Sequence, residues 1–162
     1  MNEKTLQLFR SENLIVRTRA AAMLLGDDVP LPILLEILDE LHHQGLGAET
    51  ERVLLRRSDA ELVPEMIRRM RSPDLFVKEV ACRVLGQRGN AEATPHLVAA
   101  LRDPSTWIQR TAGFALAALK DPRSADALVQ RYREAARDDF SVILALECAL
   151  ETLGVPFERH RR

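Results

Sequence analysis

Two kinds of side chain in this 162-residue chain could do chemistry at a surface: its arginines and its few aromatics. A guanidinium grips a carboxylate through parallel N–H donors and stacks on aromatic faces. Arg52 and Arg83 stand 31 residues apart, and Arg19 and Arg110 belong to the same set. Phe76, Trp107, Phe114 and Phe140, with Val80 and Leu144, supply large apolar anchors of the type that dominates interfaces. This is binding chemistry. The residues that catalysis or metal binding would need are poorly arranged. Cys82 and Cys148 show no CxxC spacing and no neighbouring His, so they read as small core residues. Adjacent His42 and His43 do not share a helix face and read as a helix end meeting its dipole. His96, after Pro95 in a helix first turn, reads as a surface residue. Asp27-Asp28, Asp121 and Asp138-Asp139 fall between helices and read as caps and turn residues. No HExxH, Gly-rich phosphate loop or GxSxG is present.

The elements that must position these residues are helices. Hydrophobic residues make up 46% of the chain and aromatics only 4%, a balance rich in Ala and Leu that favours helix over strand. The net charge of −1 provides no field to gather a polyanion. Of 23 basic residues only Lys4, Lys78 and Lys120 are lysines, a skew that reads first as GC-rich bacterial coding bias. The opening residues mix charged and apolar side chains, unlike a signal peptide, and no apolar run could span a bilayer. The expected location is the cytoplasm.

Internal repetition organises the chain. A shift of 31 carries Pro73 to Pro104, Val77 to Ile108, Ala81 to Ala112, Leu85 to Leu116, Pro64 to Pro95 and Leu97 to Leu128. A backward shift of 61 carries Val77 to Val16, Ala81 to Ala20 and Leu85 to Leu24. A forward shift of 34 carries Ile108 to Val142, Ala115 to Ala149 and Leu116 to Leu150. The apolar stripe Val77, Ala81, Val84, Leu85 has the helical period. Ser72-Pro73 and Asp103-Pro104 mark helix starts, and Gly86 and Gly89 are read as a helix end. The predicted helices are 3–10, 12–25, 30–43, 47–57, 59–71, 74–88, 91–102, 105–119, 122–136 and 140–153: five pairs and no strand. Ala81, Ala112 and Ala115 are expected to let helix backbones approach closely.

The pattern Val-Arg-x-x-Ala-Ala-x-x-Leu at Val16, Arg17, Ala20, Ala21 and Leu24 recurs as Val77, Lys78, Ala81, Cys82, Leu85 and as Ile108, Gln109, Ala112, Gly113, Leu116. Its companion is Ala93, Pro95, Leu97. The chain thus resembles the HEAT-like repeats of the phycobilisome-lyase type. The basic residue becomes Gln109 in the fourth repeat and Ile or Leu in the last, and the second repeat lacks Val-Arg altogether. The resemblance implies an all-α, right-handed α-solenoid of about five helix pairs over 1–157, followed by a basic tail, 158–162. It also implies a scaffold or adaptor rather than an enzyme. Some members of the family handle bilins, and related helical-repeat proteins include metal-dependent hydroxylases and DNA glycosylases. No His-Glu pairs recur in the repeat register here, so the hydroxylase ligands are missing.

In the resembled fold the second helix of each pair lines the concave side. The residues between the motif positions are then expected in the groove: Leu75, Phe76, Glu79, Val80, Arg83 and Gln87; Thr106, Trp107, Arg110, Thr111 and Phe114; Phe140, Ser141, Leu144, Ala145 and Cys148. The earlier repeats add Leu14, Ile15, Thr18, Arg19 and Ala22, then Ala48, Glu49, Arg52 and Arg56. Phe76, Val80, Trp107, Phe114, Phe140 and Leu144 are expected to form an apolar strip flanked by Arg19, Arg52, Arg83 and Arg110. The expected partner is another protein that offers an apolar anchor on a helix or extended peptide, with nearby carboxylates. No cofactor, metal or membrane is expected, and the oligomeric state is left open. Two further readings stand beside this one. One is an accessory subunit of a bilin or tetrapyrrole lyase-type activity, with Arg residues holding propionates. The other is nucleic-acid binding through the Arg-lined groove, which Glu49 and Glu79 disfavour.

Overall fold

Ten α-helices and no strand occur among the described residues, 3–26, 28–135 and 140–158, of the computed structural model. They are α1 (Glu3–Phe9), α2 (Leu14–Leu24), α3 (Leu31–Leu41), α4 (Gly47–Arg56), α5 (Leu62–Arg69), α6 (Leu75–Arg88), α7 (Thr94–Ala100), α8 (Thr106–Leu119), α9 (Ala125–Glu134) and α10 (Phe140–Thr152). These are the five expected pairs, with ends one to several residues shorter. The chain divides into two compact units, Met1–Leu62 and Val63–Arg162. The division falls inside the segment 1–157 read as one solenoid. Asp27, Asp138, Asp139 and residues 159–162 of the basic tail lie outside the described residues. No helix among the described residues is long and apolar enough to cross a membrane.

In the first unit α1 packs on α2, and α3 on α4. Asn13 caps α2 by accepting from the backbone N–H groups of Ile15 and Val16. Phe9 is fully buried, and the guanidinium groups of Arg10 and Arg17 each lie 5.5 Å from its ring. Both arginines reach Glu36 on α3, at 3.0 and 2.7 Å, and Arg17 also reaches Glu40 at 2.6 Å. One aromatic and four charges therefore tie the first helix pair to α3. Arg57, just past α4, makes a two-point bond to Asp59 at 2.6 and 2.7 Å and donates to the Val29 carbonyl.

The second unit is built around α8, which lies between α6 and α10, with α7 against α8 and α9 against α10. Asp74 caps α6 by accepting from Phe76 N at 2.9 Å and Val77 N at 3.1 Å. Gly89 ends it in the left-handed region at φ 66°. Gly86, read from the sequence as part of that helix end, lies inside α6 and has another role. A Cβ built on it would sit 2.7 Å from the Cα and carbonyl oxygen of Ala115. On the other side of α8, a Cβ on Gly113 would meet Ala145 Cβ at 2.9 Å. Side-chain volume is withheld where the three helices touch. Ala115, expected to permit such an approach, is one of the two partners.

Half-buried polar groups link successive repeats. Lys78 Nζ contacts Asp103 Oδ2 at 2.8 Å. Where Lys78 is replaced one repeat later by Gln109, the amide donates to the Asp103 carbonyl at 2.7 Å and accepts from Arg131 at 2.5 Å. Arg131 is buried on α9 and also donates to the Leu101 carbonyl at 3.0 Å. A guanidinium from the next repeat thus donates to the amide that stands where the basic residue is missing.

Asp121, read as a cap, caps the 3-10 turn before α9 by accepting from Arg123 N at 3.0 Å. It also binds the Arg123 guanidinium at 2.8 and 2.6 Å and accepts from the Thr94 hydroxyl. Arg123 first, and Thr94 second, hold this carboxyl far below the ordinary 3.8. A lowered folded-state pKa gives stabilisation that is present above the ordinary value and fades as pH falls below it. The chain with Asp121→Asn is therefore expected to be less stable than the parent at pH 7. The gap should narrow on acidification from pH 4 to 2, as read by denaturant midpoints at each pH. A gap that stays constant with pH would show that the carboxylate charge contributes nothing.

Candidate functional site

The second helices α6, α8 and α10 leave an open groove of about 500 Å³ on the face away from α7 and α9 side-chain packing. Each helix contributes one narrow stripe to it. Glu79, Arg83 and Gln87 come from α6, Arg110, Phe114 and Ala118 from α8, and Phe140 and Leu144 from α10. Within each stripe the spacing is four residues, one helical turn, so the side chains stand in file. Thr111, Ala115 and Ser141 complete the lining.

The floor is apolar and partly exposed. Phe114 is 42% exposed, Phe140 55% and Leu144 48%, and Trp107 beside the groove is 51% exposed. The polar wall carries two guanidinium groups in different states. Arg83 forms an ion pair with Glu79, one turn earlier on its own helix, and Glu79 is almost fully buried. Arg110 lies over the indole of Trp107 at 4.4 Å to the ring centre and makes no ion pair among the described residues. Trp107 sits in the first turn of α8. Its carbonyl accepts from the Thr111 hydroxyl at 3.0 Å, which turns Thr111 inward.

The expected groove residues meet different fates. Arg83, Arg110, Phe114, Phe140 and Leu144 come together as lining residues. Phe76 is half-buried and Trp107 exposed, and neither lines the groove. Val80 is fully buried, a correction to the expected strip. It stands one residue past Glu79, about 100° round the helix, and that rotation carries it off the groove stripe into the packed side of α6. Ala145 is buried for the same reason, on the flank of α10 that meets Gly113. Arg52 belongs to the first unit. It is exposed on α4 and pairs with Glu49, whose carboxyl it holds below the ordinary range. On α2, Leu14, Ile15, Arg19 and Ala22 are exposed and Thr18 is half-buried. Sequence reasoning missed Ala118, although its spacing of four from Phe114 placed it on the same stripe.

The other chemistry-capable residues do not line the groove. Cys82 is fully buried and its thiol is pushed up to about 12, mainly by burial and then by the charge of Asp103. Cys148 is half-buried on α10. His42 and His43 occupy a 3-10 turn after α3, where their rings meet edge to face with centroids 4.0 Å apart. His42 Nδ1 lies 2.7 Å from the Leu38 carbonyl, so this residue does meet the end of its helix.

No curated protein matches the sequence. Among solved structures the chain is similar to the crystal structure of an engineered protein, a target of the Northeast Structural Genomics Consortium. The two share 18% identity and a TM-score of 0.58, over 94% of this chain and 80% of that one. That likeness concerns the fold alone. The family described as HEAT repeats matches residues 31–112 and again 63–147. The match is to HEAT repeats as such and does not single out the phycobilisome-lyase type. It spans well over half the chain and agrees with the paired helices and their repeat period, and the protein belongs to the HEAT-repeat family.

Proposed function

We propose that the chain is a protein-interaction module whose second unit holds a segment of another protein in the groove between α6, α8 and α10. The observation that carries this reading is the convergence of Phe114, Phe140 and Leu144, all half-exposed, in one depression beside two arginines. Scattered exposed apolar residues are ordinary, but large ones gathered in a groove and rimmed by guanidinium groups have the make-up of a recognition surface. HEAT repeats commonly serve such contacts, and second helices of the pairs line the groove.

Phe114→Ala tests it. The side chain is half-exposed, so truncation spares the core, while loss of a central anchor costs about 2 kcal/mol of binding, roughly thirtyfold in affinity. The immobilised parent and variant are exposed to an extract of the host, and the retained proteins are identified and titrated. A protein held by the parent and released by the variant supports the reading. Equal retention by both, with the variant folded by circular dichroism, rejects it.

A further inference from the structure

We infer that this groove selects a partner segment carrying a single carboxylate about one helical turn from an apolar side chain, with Arg110 as the carboxylate receptor. The inference rests on the interaction reading above and narrows it.

The two arginines of the groove are not equivalent. Arg83 already has a carboxylate, that of Glu79, and Glu79 is buried against the wall. A second anion brought to Arg83 would meet Glu79 as well, so this end of the groove rejects negative charge. Arg110 has no carboxylate among the described residues. It is held instead against the Trp107 ring at 4.4 Å. The indole holds the guanidinium in place and leaves its N–H fork free to donate to a carboxylate at two points, with little further loss of side-chain freedom. Phe114 follows Arg110 by one turn, and Leu144 and Phe140 face it from α10. The complement of this surface is a carboxylate and an aliphatic or aromatic side chain three or four residues apart on a helix. The charge pattern also discriminates by number. One available guanidinium beside an occupied one suits one acid and penalises a phosphate chain.

The test uses the full chain and three capped, amidated peptides on an Ala/Gln helical frame. The first carries Glu and Leu four residues apart, the second has Gln for Glu, and the third has Ala for Leu. Trp107 is the chain's sole tryptophan, so its fluorescence reports occupancy directly, with calorimetry as the independent readout. The Glu/Leu peptide is expected to bind, and the Gln peptide to bind about tenfold more weakly. That tenfold preference should vanish in Arg110→Gln and persist in Arg133→Gln, an exposed site on α9. Equal affinity for the Glu and Gln peptides, with the Ala peptide still weakened, overturns the inference and leaves the interaction reading intact. Saturable binding of a single-stranded DNA oligonucleotide with a steep salt slope, and of none of the peptides, overturns both. So does the absence of saturable binding by every probe.

Discussion

Gly86→Ala is expected to destabilise the second unit by about 1–3 kcal/mol, although the same change on an exposed helix would stabilise it by about 1 kcal/mol. The reversal comes from the α6–α8 contact. The new methyl would lie 2.7 Å from backbone atoms of Ala115 and 2.8 Å from its Cβ. Backbone cannot swing aside as the tip of a long side chain can, so the helices must separate and loosen the packing of Val84, Leu85, Ala112 and Leu116, all buried nearby. For a chain of this size the loss corresponds to a melting point lower by about 2–4 °C per kcal/mol. Gly113→Ala should be milder, because its closest neighbour is the Ala145 methyl at 2.9 Å and the nearest Ala145 backbone atom lies at 3.3 Å. Gly89→Ala separates the causes. Nothing lies within 4 Å of its Cβ position, so its cost comes only from the left-handed φ of 66°. A Gly86→Ala protein that melts at or above the parent temperature would show that α6 and α8 are not in close contact.

The alkylation of Cys82 is expected to be slower than that of Cys148 by on the order of a thousandfold near pH 8. Only thiolate reacts, and a thiol pushed from 9.0 to about 12 has roughly a thousandth of the ordinary thiolate fraction at that pH. Cys82 is also fully buried on α6, whereas Cys148 is half-buried on α10. Reagent therefore reaches Cys82 only when the helices part, so the raised pKa and the closed core express the same burial and do not multiply. Iodoacetamide labelling followed by peptide mass spectrometry measures both rates in one sample, and urea should bring them together. Comparable native rates would mean that the second unit opens readily or that Cys82 is not in its core.

Much of the fold was legible because the signals were local and repeated. Val77, Ala81 and Leu85 share one helical stripe, and their counterparts recur at 31 residues. Ser72-Pro73 and Asp103-Pro104 marked the two helix starts about two residues early, because the N-cap positions are Asp74 and Ser105 and both prolines lie before them. The groove was legible for the same reason where its residues run at intervals of four, as Arg110 and Phe114 do. It was misread where every residue between motif positions was assigned to the groove. A helix with neighbours on two flanks, such as α8, buries both, and only a narrow stripe remains. Val80 and Ala145 fall on such flanks. Gly86 was misread because glycine signals either a helix end or a close crossing, and the difference lies in the helix opposite. Nothing near Gln109 in sequence pointed to Arg131, which reaches it from 22 residues away.

That last contact bears on how the array could have grown. Repeat proteins are commonly pictured as interchangeable bricks, each self-sufficient apart from its joints. The brick containing Gln109 does not meet that description, because the cation under it is on loan from its successor. Duplicating or deleting either one alone would leave an amide without its donor or strand a guanidinium among carbonyls. The two therefore form an indivisible pair in evolution, and a designer shuffling this array should cut elsewhere.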